Sequence, residues 1–317
     1  MAQPDLSPEN KEFDLIIVGA GPAGLTAGIY AARARLNTLL ISQLVPGGQA
    51  ATTEWVENYP GFPDGVAGME LMQKMEQQAK KFGMKTLSEE ITSVDLQDNR
   101  KIVKTSKAEF RSLALIIATG TDYKKLGIPG EEKFRGGGVS YCATCDGAFF
   151  KDKDVAVIGC GNSGLQEGLF LSKFVKSISF VEFLPQMTGE KILQERVRKD
   201  PRNEFYLNHM ITSINGEDKV ESITVKKRDS QEEKTIPVQG VFMYVGMIPN
   251  TQFLKGKLEL NKWGYIVANE KTETSVPGVY AAGDVRDKVL KQITTATSDG
   301  SVAAVMAEEY VEKLKHQ

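Results

Sequence analysis

Two cysteines three residues apart are the side chains best suited to do chemistry. The run 141–147 reads Tyr-Cys-Ala-Thr-Cys-Asp-Gly and places thiols at Cys142 and Cys145. Such a pair brings two sulfurs close enough for a small disulfide ring and favours one thiolate, as reversible dithiol exchange requires. A zinc site would need four ligands, but the third cysteine and both histidines are widely scattered. An inert packed pair is the other alternative, although Asp146 makes a poor core neighbour. The spacing favours a reactive dithiol and no metal.

Composition removes several classes of function. The 317 residues include 39 Lys and Arg against 41 Asp and Glu, a net charge of −2 that gives no electrostatic case for binding nucleic acid or an anionic membrane. Three cysteines cannot build a disulfide scaffold, and two histidines nearly exclude histidine-based catalysis. The length and the 41% of hydrophobic residues predict about two domains.

The amino-terminal segment has neither the charge nor the composition of a targeting or membrane sequence. Residues 1–12 are polar and carry three acids against one lysine, so we expect a loose tail, no signal peptide and a cytoplasmic protein. The eighteen residues 15–32 carry no charge and are nearly long enough to cross a bilayer. Glycines and Pro22 interrupt them, which fits a strand, a tight turn and a buried helix better than a membrane span.

Two glycine-rich turns with the same spacing begin 140 residues apart, and they read Gly19-Ala20-Gly21-Pro22-Ala23-Gly24 and Gly159-Cys160-Gly161-Asn162-Ser163-Gly164. In such a turn the first glycine permits the tight bend, the second lets a pyrophosphate approach bare backbone, and the third allows helix and strand to pack closely. The amides at the start of the following helix face the anion. One such turn can exist for packing alone, but two of them predict two nucleotide-binding domains.

Each turn lies inside a strand–helix–strand pattern typical of a parallel sheet. The first pattern is predicted as strand 15–18, helix 25–35 and strand 38–42, and the second as strand 155–158, helix 165–174 and strand 177–182. Alternating apolar and polar residues predict antiparallel strands within 86–110 and 211–245, with an apolar strand at 113–118. A helix is predicted at 298–314. These elements must position the glycine-rich turns and the dithiol.

Several motifs, in this order along residues 13–314, resemble those of the low-molecular-weight thioredoxin reductases of bacteria and archaea, in the class II pyridine nucleotide-disulfide oxidoreductases. Besides the two turns and the dithiol motif, they are Gly47-Gly48-Gln49, Glu57-Asn58-Tyr59-Pro60-Gly61, Ala118-Thr119-Gly120, and Gly283-Asp284 with Gln292. The resemblance implies an α/β fold of two Rossmann-like, three-layer β/β/α nucleotide-binding domains, the second inserted into the first. The FAD-binding domain would comprise 1–121 and 250–317, and the pyridine-nucleotide domain 122–249 would carry the dithiol.

The resemblance also implies which residues bind the cofactors. The FAD-binding residues would be Gly19, Gly21, Pro22, Ala23, Gly24, Ser42, Gly47, Gly48, Gln49, Asn58, Thr119, Gly120, Gly283, Asp284, Lys291, Gln292 and Ile293. The nicotinamide site would be formed by Gly159, Gly161, Asn162, Ser163, Gly164 and Glu182. The final helix would point its positive N-terminus at the flavin, which favours the negative charge of the reduced ring.

The same resemblance assigns roles to the dithiol motif. Cys145 would take electrons from the flavin, Cys142 would attack the partner disulfide, and Asp146 would serve as the general acid for the leaving thiolate. Asp146 can equally be a turn residue before a glycine. Because the cysteines must reach both the flavin and a large protein substrate, the family rotates one domain against the other, which would place hinges near 119–123 and 245–250. Ordinary domain-crossing turns would look the same.

Glu182 stands where the family selects between nicotinamide cofactors, eighteen residues after the last glycine of the second turn. Members that use NADPH carry a cluster of His and Arg there, whereas this chain has no cation before Lys191. A carboxylate about 4 Å from a phosphate charge costs roughly 1 kcal/mol in water and roughly 4 at an effective dielectric constant near 20. The same carboxylate can accept both ribose hydroxyls of NADH. We therefore expect NADH to be preferred over NADPH. In the first unit Ser42 holds the equivalent place, so its ribose contact is expected to be weaker.

Cys160 is a second departure from the family pattern. It is either a free thiol that points away from the ligand or a bulkier wall that narrows the pyrophosphate site. Some relatives with an acidic residue at this strand end use neither dinucleotide well, so a deazaflavin or ferredoxin donor is an alternative. A flavin redox sensor without turnover is another.

The leading hypothesis is therefore an FAD-dependent thioredoxin-disulfide reductase, with thioredoxin or a glutaredoxin-like protein as its partner. A homodimer is suggested by the family resemblance alone.

Overall fold

The computed structural model describes residues 11–43, 46–96 and 100–316. Most of the expected tail, and two residues between Ser42 and Gly47, lie outside these ranges. The described chain forms two compact units: Met1–Asp122 with Ile248–Gln317, and Tyr123–Met247. The second unit is thus inserted into the first.

The first unit contains most of the helices. Its elements are β1 (Glu12–Val18), α1 (Pro22–Arg33), β2 (Thr38–Ser42), α2 (Gly48–Thr52), α3 (Gly68–Lys81), β3 (Lys85–Ser88), β4 (Ile91–Asp95), β5 (Lys101–Thr105), β6 (Glu109–Ile117) and β7 (Thr121–Tyr123), which runs to the unit boundary. The second unit contains β8 (Val139–Ser140), α4 (Ala143–Asp146), β9 (Asp154–Ile158), α5 (Asn162–Leu171), β10 (Ser177–Glu182), α6 (Lys191–Lys199), β11 (Asn203–Leu207), β12 (His209–Asn215), β13 (Ser222–Lys227), β14 (Glu233–Pro237) and β15 (Gly240–Met243). The chain then returns through β16 (Met247–Pro249) to β17 (Val279–Ala281) and α7 (Ile293–Lys315).

The sheet of the first unit runs in the order β3-β2-β1-β6-β5-β4, and β17 also pairs with β6. Strands β3, β2, β1, β6 and β17 are parallel, while β4 and β5 form an antiparallel extension from β6. Helices α1, α3 and α7 contribute to the core on one face, and the antiparallel strands contribute to the core on the other. Residues 15–18 of β1 are buried on both faces, as their uninterrupted apolar sequence predicts.

The second unit repeats this three-layer plan. Its parallel sheet has the order β11-β10-β9-β15-β8, and the antiparallel sheet β12-β13-β14 covers one face. Helices α5 and α6 cover the opposite face. Both units are therefore Rossmann-like β/β/α domains, which confirms the predicted fold class.

Three helices begin earlier than the sequence pattern predicts. Helices α1 and α5 start at Pro22 and Asn162, inside the glycine-rich turns, because the preceding glycine is the extended N-cap residue. Helix α7 starts at Ile293 rather than near 298, since the N–H of Gln292 donates to Oγ1 of Thr295 and caps the helix there. Within the described ranges, no helix has both the length and the apolar character needed to cross a bilayer.

The first unit is tied together where its chain leaves and returns. The N–H of Asn250 donates to the carbonyl of Gly120 at 3.0 Å, and its side-chain amide donates to the carbonyl of Thr119 at 3.1 Å. In the second unit, the N–H of Lys124 donates to the carbonyl of Gly246 at 3.0 Å. Within each unit, a backbone hydrogen bond therefore joins the two chain segments that lead to the other unit.

Candidate functional site

The first glycine-rich turn forms a cradle at the carboxyl end of β1. A β-carbon on Gly19 would lie 2.2 Å from the carbonyl oxygen of Ala118, and one on Gly24 would lie 1.8 Å from that of Gly19. Neither position can carry a side chain. A β-carbon on Gly21 would meet nothing within 4 Å, so the turn leaves open space at the start of the twelve-residue helix α1. An anionic diphosphate fits this space and the helix N-terminus.

A second segment lies against this cradle. The N–H of Gly47 donates to the carbonyl of Ala20 at 2.7 Å, and a β-carbon on Gly48 would lie 3.5 Å from the α-carbon of Gly21. The side-chain amide of Gln49 donates to the carbonyl of Thr121 at 2.5 Å. The structure therefore brings the segment 47–49 to the first turn, and links it to the segment that follows Thr119 and Gly120. Ser42 ends β2 at the same sheet edge.

Asp284 lies in a buried polar cluster whose chemistry fits a hydroxyl-rich ligand. Among the described residues, its buried Oδ1 has no hydrogen-bond partner. Burial raises the pKa of Asp284, and the nearby Lys291 and Lys288 ammonium groups oppose that shift. Lys291 donates to the carbonyls of Asp284 and Arg286 at 2.7 and 2.9 Å, and burial lowers the pKa of Lys291. A buried acceptor without a donor is the expected partner of a ligand hydroxyl.

Asn58 and Gln292 meet although they are distant in sequence. The side-chain amide of Asn58 donates to Oε1 of Gln292 at 3.0 Å. Gln292 is the N-cap residue of α7, so Ile293 is the first residue of that 23-residue helix. The expected flavin-ring neighbours thus gather at one helix N-terminus, where the macrodipole is positive.

Asp299 is a residue of this cluster that the sequence reasoning missed. It accepts hydrogen bonds from the N–H of Gly283 at 2.9 Å, from Arg286 at 2.7 Å and from Lys288 at 2.8 Å. Asp299 therefore fixes the turn that presents Asp284. Its signal in the sequence is an acid among the small residues at the start of α7, which alone does not reveal three partners.

The predicted dithiol is a disulfide bond between Cys142 and Cys145. Cys142 is the N-cap residue of α4, and its sulfur accepts the N–H of Cys145 at 3.1 Å. Cys142 is half-buried and Cys145 is exposed. The motif follows β8 at the carboxyl edge of the parallel sheet, the edge where ligands of such sheets bind.

Three tyrosines that the sequence reasoning did not single out surround the motif. The Tyr244 hydroxyl accepts the N–H of Ala143 at 3.0 Å, and burial raises the pKa of Tyr244. The ring of Tyr123 lies 6.2 Å from that of Tyr141 and 5.9 Å from that of Tyr244. Burial and the hydrogen bond to Glu131 raise the pKa of Tyr141. The phenol groups of Tyr141 and Tyr244 therefore stay neutral, so these side chains pack near the disulfide turn without adding charge.

The second glycine-rich turn repeats the geometry of the first. A β-carbon on Gly159 would lie 2.1 Å from the carbonyl oxygen of Tyr244, and one on Gly164 would lie 2.0 Å from that of Gly159. A β-carbon on Gly161 would meet only Thr188, at 3.7 Å. A segment lies against this turn as one does against the first: the N–H groups of Thr188 and Gly189 donate to the carbonyl of Cys160, as that of Gly47 does to the carbonyl of Ala20.

An acid also lies at the helix N-terminus of this turn. The Asn162 amide donates to Oε1 of Glu190 at 3.1 Å, while the N–H of Glu190 donates to Oδ1 of Asn162 at 2.7 Å. The exposed Ser163 follows Asn162 in the first turn of α5. Because Glu190 carries negative charge near a site meant for an anion, it weakens the electrostatic case for a diphosphate there.

Glu182 is buried, with 7% of its surface exposed, rather than free at the strand end. Its Oε2 accepts the N–H of Cys160 at 2.7 Å, and its Oε1 accepts the N–H of Leu184 at 3.0 Å. Each carboxylate oxygen keeps one lone pair, so a ribose hydroxyl can still bind. Cys160 is fully buried, and burial, with a smaller contribution from Glu182, raises the pKa of its thiol to about 12. Cys160 packs in the core, as the first of the two interpretations predicts.

A cation lies close to this strand end, although none is near in sequence. The Arg228 guanidinium carbon lies 3.8 Å from the ring centroid of Phe183, and Nη1 of Arg228 donates to the carbonyl of Phe183 at 3.1 Å. Arg228 follows β13 and reaches Phe183 because the N–H of Arg228 donates to the carbonyl of Asn208. The sequence reasoning missed this residue, since it searched only along the strand that ends at Glu182.

Comparisons with known proteins agree with this arrangement. The sequence profile described as pyridine nucleotide-disulphide oxidoreductase matches residues 13–300. A thioredoxin reductase of Bacillus subtilis (strain 168) is 44% identical over 308 residues, which cover 97% of each chain. The crystal structure of Lactococcus lactis thioredoxin reductase in the FR conformation has a TM-score of 0.93 at 37% identity, over 95% of this chain and 99% of that one. The thioredoxin reductase of T. acidophilum has a TM-score of 0.91 at 38% identity, over 96% and 99%.

Proposed function

The chain belongs to the pyridine nucleotide-disulphide oxidoreductase family, among the thioredoxin reductases, and from that premise we propose that it is an FAD-dependent thioredoxin-disulfide reductase of the cytoplasm. The Cys142–Cys145 pair, reduced by two electrons that bound FAD would supply from a reduced donor, would reduce the disulfide of thioredoxin or a glutaredoxin-like protein. The observation that carries the proposal is that bonded pair at the carboxyl edge of a nucleotide-binding sheet.

Residues of the first unit fit FAD. The open space at Gly21 and the start of α1 accommodate the diphosphate, and the unpartnered oxygen of Asp284 accepts a ligand hydroxyl. The linked side chains of Asn58 and Gln292, at the N-terminus of α7, would border the flavin ring. When bound, FAD supplies a relay that accepts two electrons from the donor and passes them on.

The dithiol then carries the electrons to the partner. Two electrons and one proton break the bond between Cys142 and Cys145 and leave one thiolate and one thiol. The Cys142 thiolate attacks the partner disulfide, and Asp146 protonates the sulfur that leaves. Cys145 then gives its proton to Asp146 and attacks the Cys142 sulfur, which restores the enzyme disulfide and releases the partner as one thiol and one thiolate.

NADH is the proposed donor, in preference to NADPH. The Glu182 carboxylate is fixed at the end of β10 by two backbone N–H groups, so its negative charge cannot turn away from a bound adenosine ribose. It accepts ribose hydroxyls and repels a 2′-phosphate.

A non-nicotinamide donor, a deazaflavin or ferredoxin, is the second candidate. The observation that favours it is the acid at the second turn, where the side-chain amide of Asn162 donates to Glu190. The charge of Glu190 acts against an anionic diphosphate.

Anaerobic titration of the purified flavoprotein with NADH, NADPH and dithionite in turn separates these donors. We expect the flavin absorbance to bleach fast with NADH and slowly with NADPH. Fast bleaching by NADPH alone would contradict the role of Glu182. Bleaching by dithionite alone would favour the second candidate, and a bleached enzyme that reduces no disulfide protein would be a redox sensor.

Phe149 supports the proposed protein partner. Its side chain is 74% exposed and lies four residues after Cys145, so it offers an apolar contact beside the disulfide. We expect Phe149→Ala to raise the KM for thioredoxin about tenfold and to leave flavin reduction unchanged. The control is Trp263→Ala, which removes an aromatic side chain of the other unit that is 65% exposed.

A homodimer is the proposed assembly. An apolar groove on the outer surface of α1 and α7 supports it, lined by Tyr30, Ser301, Val302, Val305 and Met306. A second copy of the chain is its proposed occupant. Light scattering should give the mass of two chains for the wild type and of one chain for Val305→Glu. A monomeric wild type would overturn this part.

A further inference from the structure

Ser140 links the two reactive parts of the dithiol motif. It is the last residue of β8 and is 5% exposed. Its hydroxyl oxygen accepts the N–H of Cys142 at 3.0 Å and lies 2.6 Å from Oδ2 of Asp146. The carbonyl oxygen of Cys142 is a second acceptor, at 3.2 Å. One buried hydroxyl thus contacts both the amide next to the attacking sulfur and the carboxylate that follows the second cysteine.

A serine hydroxyl carries a single proton but can accept two hydrogen bonds. When Asp146 is ionised, the Ser140 proton points to its carboxylate, at the shorter of the two distances. When Asp146 is protonated, its O–H can donate to the Ser140 oxygen, and the Ser140 proton turns to the Cys142 carbonyl. Ser140 therefore has a complete set of partners in both protonation states, and burial leaves little room for water to replace it.

We propose that Ser140 is a positioning residue that holds Asp146 beside the dithiol through both of its protonation states. The inference rests on the proposed function, in which Asp146 gives up and regains a proton in every cycle. The hydrogen bond from Ser140 gives the carboxylate a fixed partner at 2.6 Å. It also limits the motion of that carboxylate, because the backbone that carries Ser140 is paired with Phe242 in the sheet.

A purely structural role for Ser140 makes a different prediction. The bond from the N–H of Cys142 fixes the start of the disulfide turn, and its loss would displace both cysteines. A displaced dithiol would react slowly with every disulfide. A misplaced acid slows only those reactions whose leaving thiolate is basic and needs a proton, because weakly basic thiolates leave unaided.

The experiment compares single-turnover oxidation of the dithionite-reduced holoenzyme by three disulfides. Thioredoxin and hydroxyethyl disulfide release basic thiolates, whereas 5,5′-dithiobis(2-nitrobenzoate) releases a weakly basic one. For Ser140→Ala we expect about tenfold slower reaction with the first two, less than the roughly 10²–10⁴-fold of a complete general-acid contribution because Asp146 itself is kept, and an unchanged rate with the third. Ser140→Thr, which keeps the hydroxyl, should restore the rate.

The pH profile gives an independent readout. We expect Ser140→Ala to shift the pH profile of the single-turnover reaction with hydroxyethyl disulfide, since it removes the hydrogen-bond partner of the Asp146 carboxylate. The shift should vanish when Asp146→Asn is also present. Equal slowing with all three disulfides, or effects of the two substitutions that multiply, would overturn the inference.

The same measurements distinguish failure of the proposed function from failure of the inference about Ser140. If thioredoxin is not reduced but hydroxyethyl disulfide shows the Ser140 pattern, the inference stands and the partner assignment fails. If Asp146→Asn reacts with basic disulfides at the wild-type rate, the acid role of Asp146 fails and the inference with it. Flavin absorbance and the melting temperature report whether each variant is folded. Ser140→Cys, a weaker donor of similar size, replaces Ser140→Ala if that protein does not fold.

Discussion

The backbone N–H of Cys160 donates a 2.7 Å hydrogen bond to the carboxylate of Glu182. This bond joins the second glycine-rich turn to the end of β10, the two places where a dinucleotide would contact the second unit. Glu182 therefore shapes the turn as well as setting the charge at the strand end. A change at Glu182 acts on both.

Glu182→Gln is expected to shift donor preference toward NADPH. The amide removes the negative charge while keeping the side-chain size and one acceptor oxygen. We expect the ratio of kcat/KM for NADPH to that for NADH to rise between about fivefold and several hundredfold, as roughly 1–4 kcal/mol of charge repulsion implies. Steady-state rates with each dinucleotide measure the ratio.

Arg228→Gln removes a positive charge near the same strand end and is the matched variant to Glu182→Gln. Its guanidinium lies over Phe183, the residue after Glu182, and is the cation placed to attract a 2′-phosphate. We expect the KM for NADPH to rise several-fold and that for NADH to change less. A ratio that does not move in either variant would show that the charges at this strand end do not select the donor.

Gly21→Ala is expected to impair flavin binding, whereas Gly24→Ala is expected to impair folding. A β-carbon at Gly21 occupies only the open space of the first turn, and its φ of −76° suits alanine, so the protein should fold but purify with little flavin. A β-carbon at Gly24 lies 1.8 Å from a backbone oxygen, so that protein should not accumulate. The ratio of flavin to protein absorbance measures retention.

The same substitution in the second turn is the control for Gly21. Gly161→Ala leaves the first turn intact, and its β-carbon would make only an ordinary contact with Thr188. It should keep full flavin content and lose only donor binding. Full flavin content in Gly21→Ala would contradict the diphosphate assignment.

Asp284→Asn should stabilise the flavin-free protein at neutral pH. Burial raises the pKa of Asp284 in the folded state. The stability that this shift contributes is present below the ordinary aspartate pKa and is lost as the pH rises through the raised value, so at pH 7 an ionised carboxylate stays buried at a cost. We expect the melting temperature to rise by about 2–4 °C, the effect of about 1 kcal/mol in a domain of 150–250 residues.

Two comparisons test this reasoning for Asp284. The gain in melting temperature should shrink as the pH falls toward 4, where the wild-type carboxyl is protonated. The flavin-loaded variant should instead be less stable than the loaded wild type, because the carboxylate no longer accepts a hydrogen bond from the ligand. Equal gains at pH 4 and pH 7 would exclude desolvation as the cause.

Cys160 should not react in the native enzyme. Burial raises the pKa of its thiol to about 12, so the thiol stays neutral and its contribution to stability is lost only as the pH rises through that value. With the disulfide reduced, 5,5′-dithiobis(2-nitrobenzoate) should titrate two thiols at pH 8 and three in guanidinium. The double variant Cys142→Ser, Cys145→Ser should show none until unfolded. A third thiol reacting at the rate of the pair would contradict the buried position.

Local patterns predicted much of the fold. Strands β2 and β10 have the bounds read from the sequence, because each is an apolar run between clear turn signals. Helix starts were less visible, since the N-caps of α1 and α5 are glycines without a capping side chain. Alternation could not give strand direction either: β3 falls in the region expected to be antiparallel but pairs parallel with β2.

The residues of the site also divide into those that the sequence pattern predicts and those that it does not. The glycine turns and the cysteine pair are visible because their chemistry depends on spacing along the chain. Arg228, Asp299 and Tyr244 are not, because each meets its partner only after distant elements have packed. The binding and catalytic roles assigned to individual residues stay predictions.

The hydrogen bonds between Asn250 and the segment of Thr119 and Gly120 have a consequence for how such a chain can change. Because the outer unit's chain departs and returns at adjacent points, a short turn could replace the whole insertion without reopening the surrounding sheet. The dithiol and the second glycine-rich turn therefore lie on one continuous insertion. A single genetic event can exchange or remove that insertion while the first unit keeps its own closed fold.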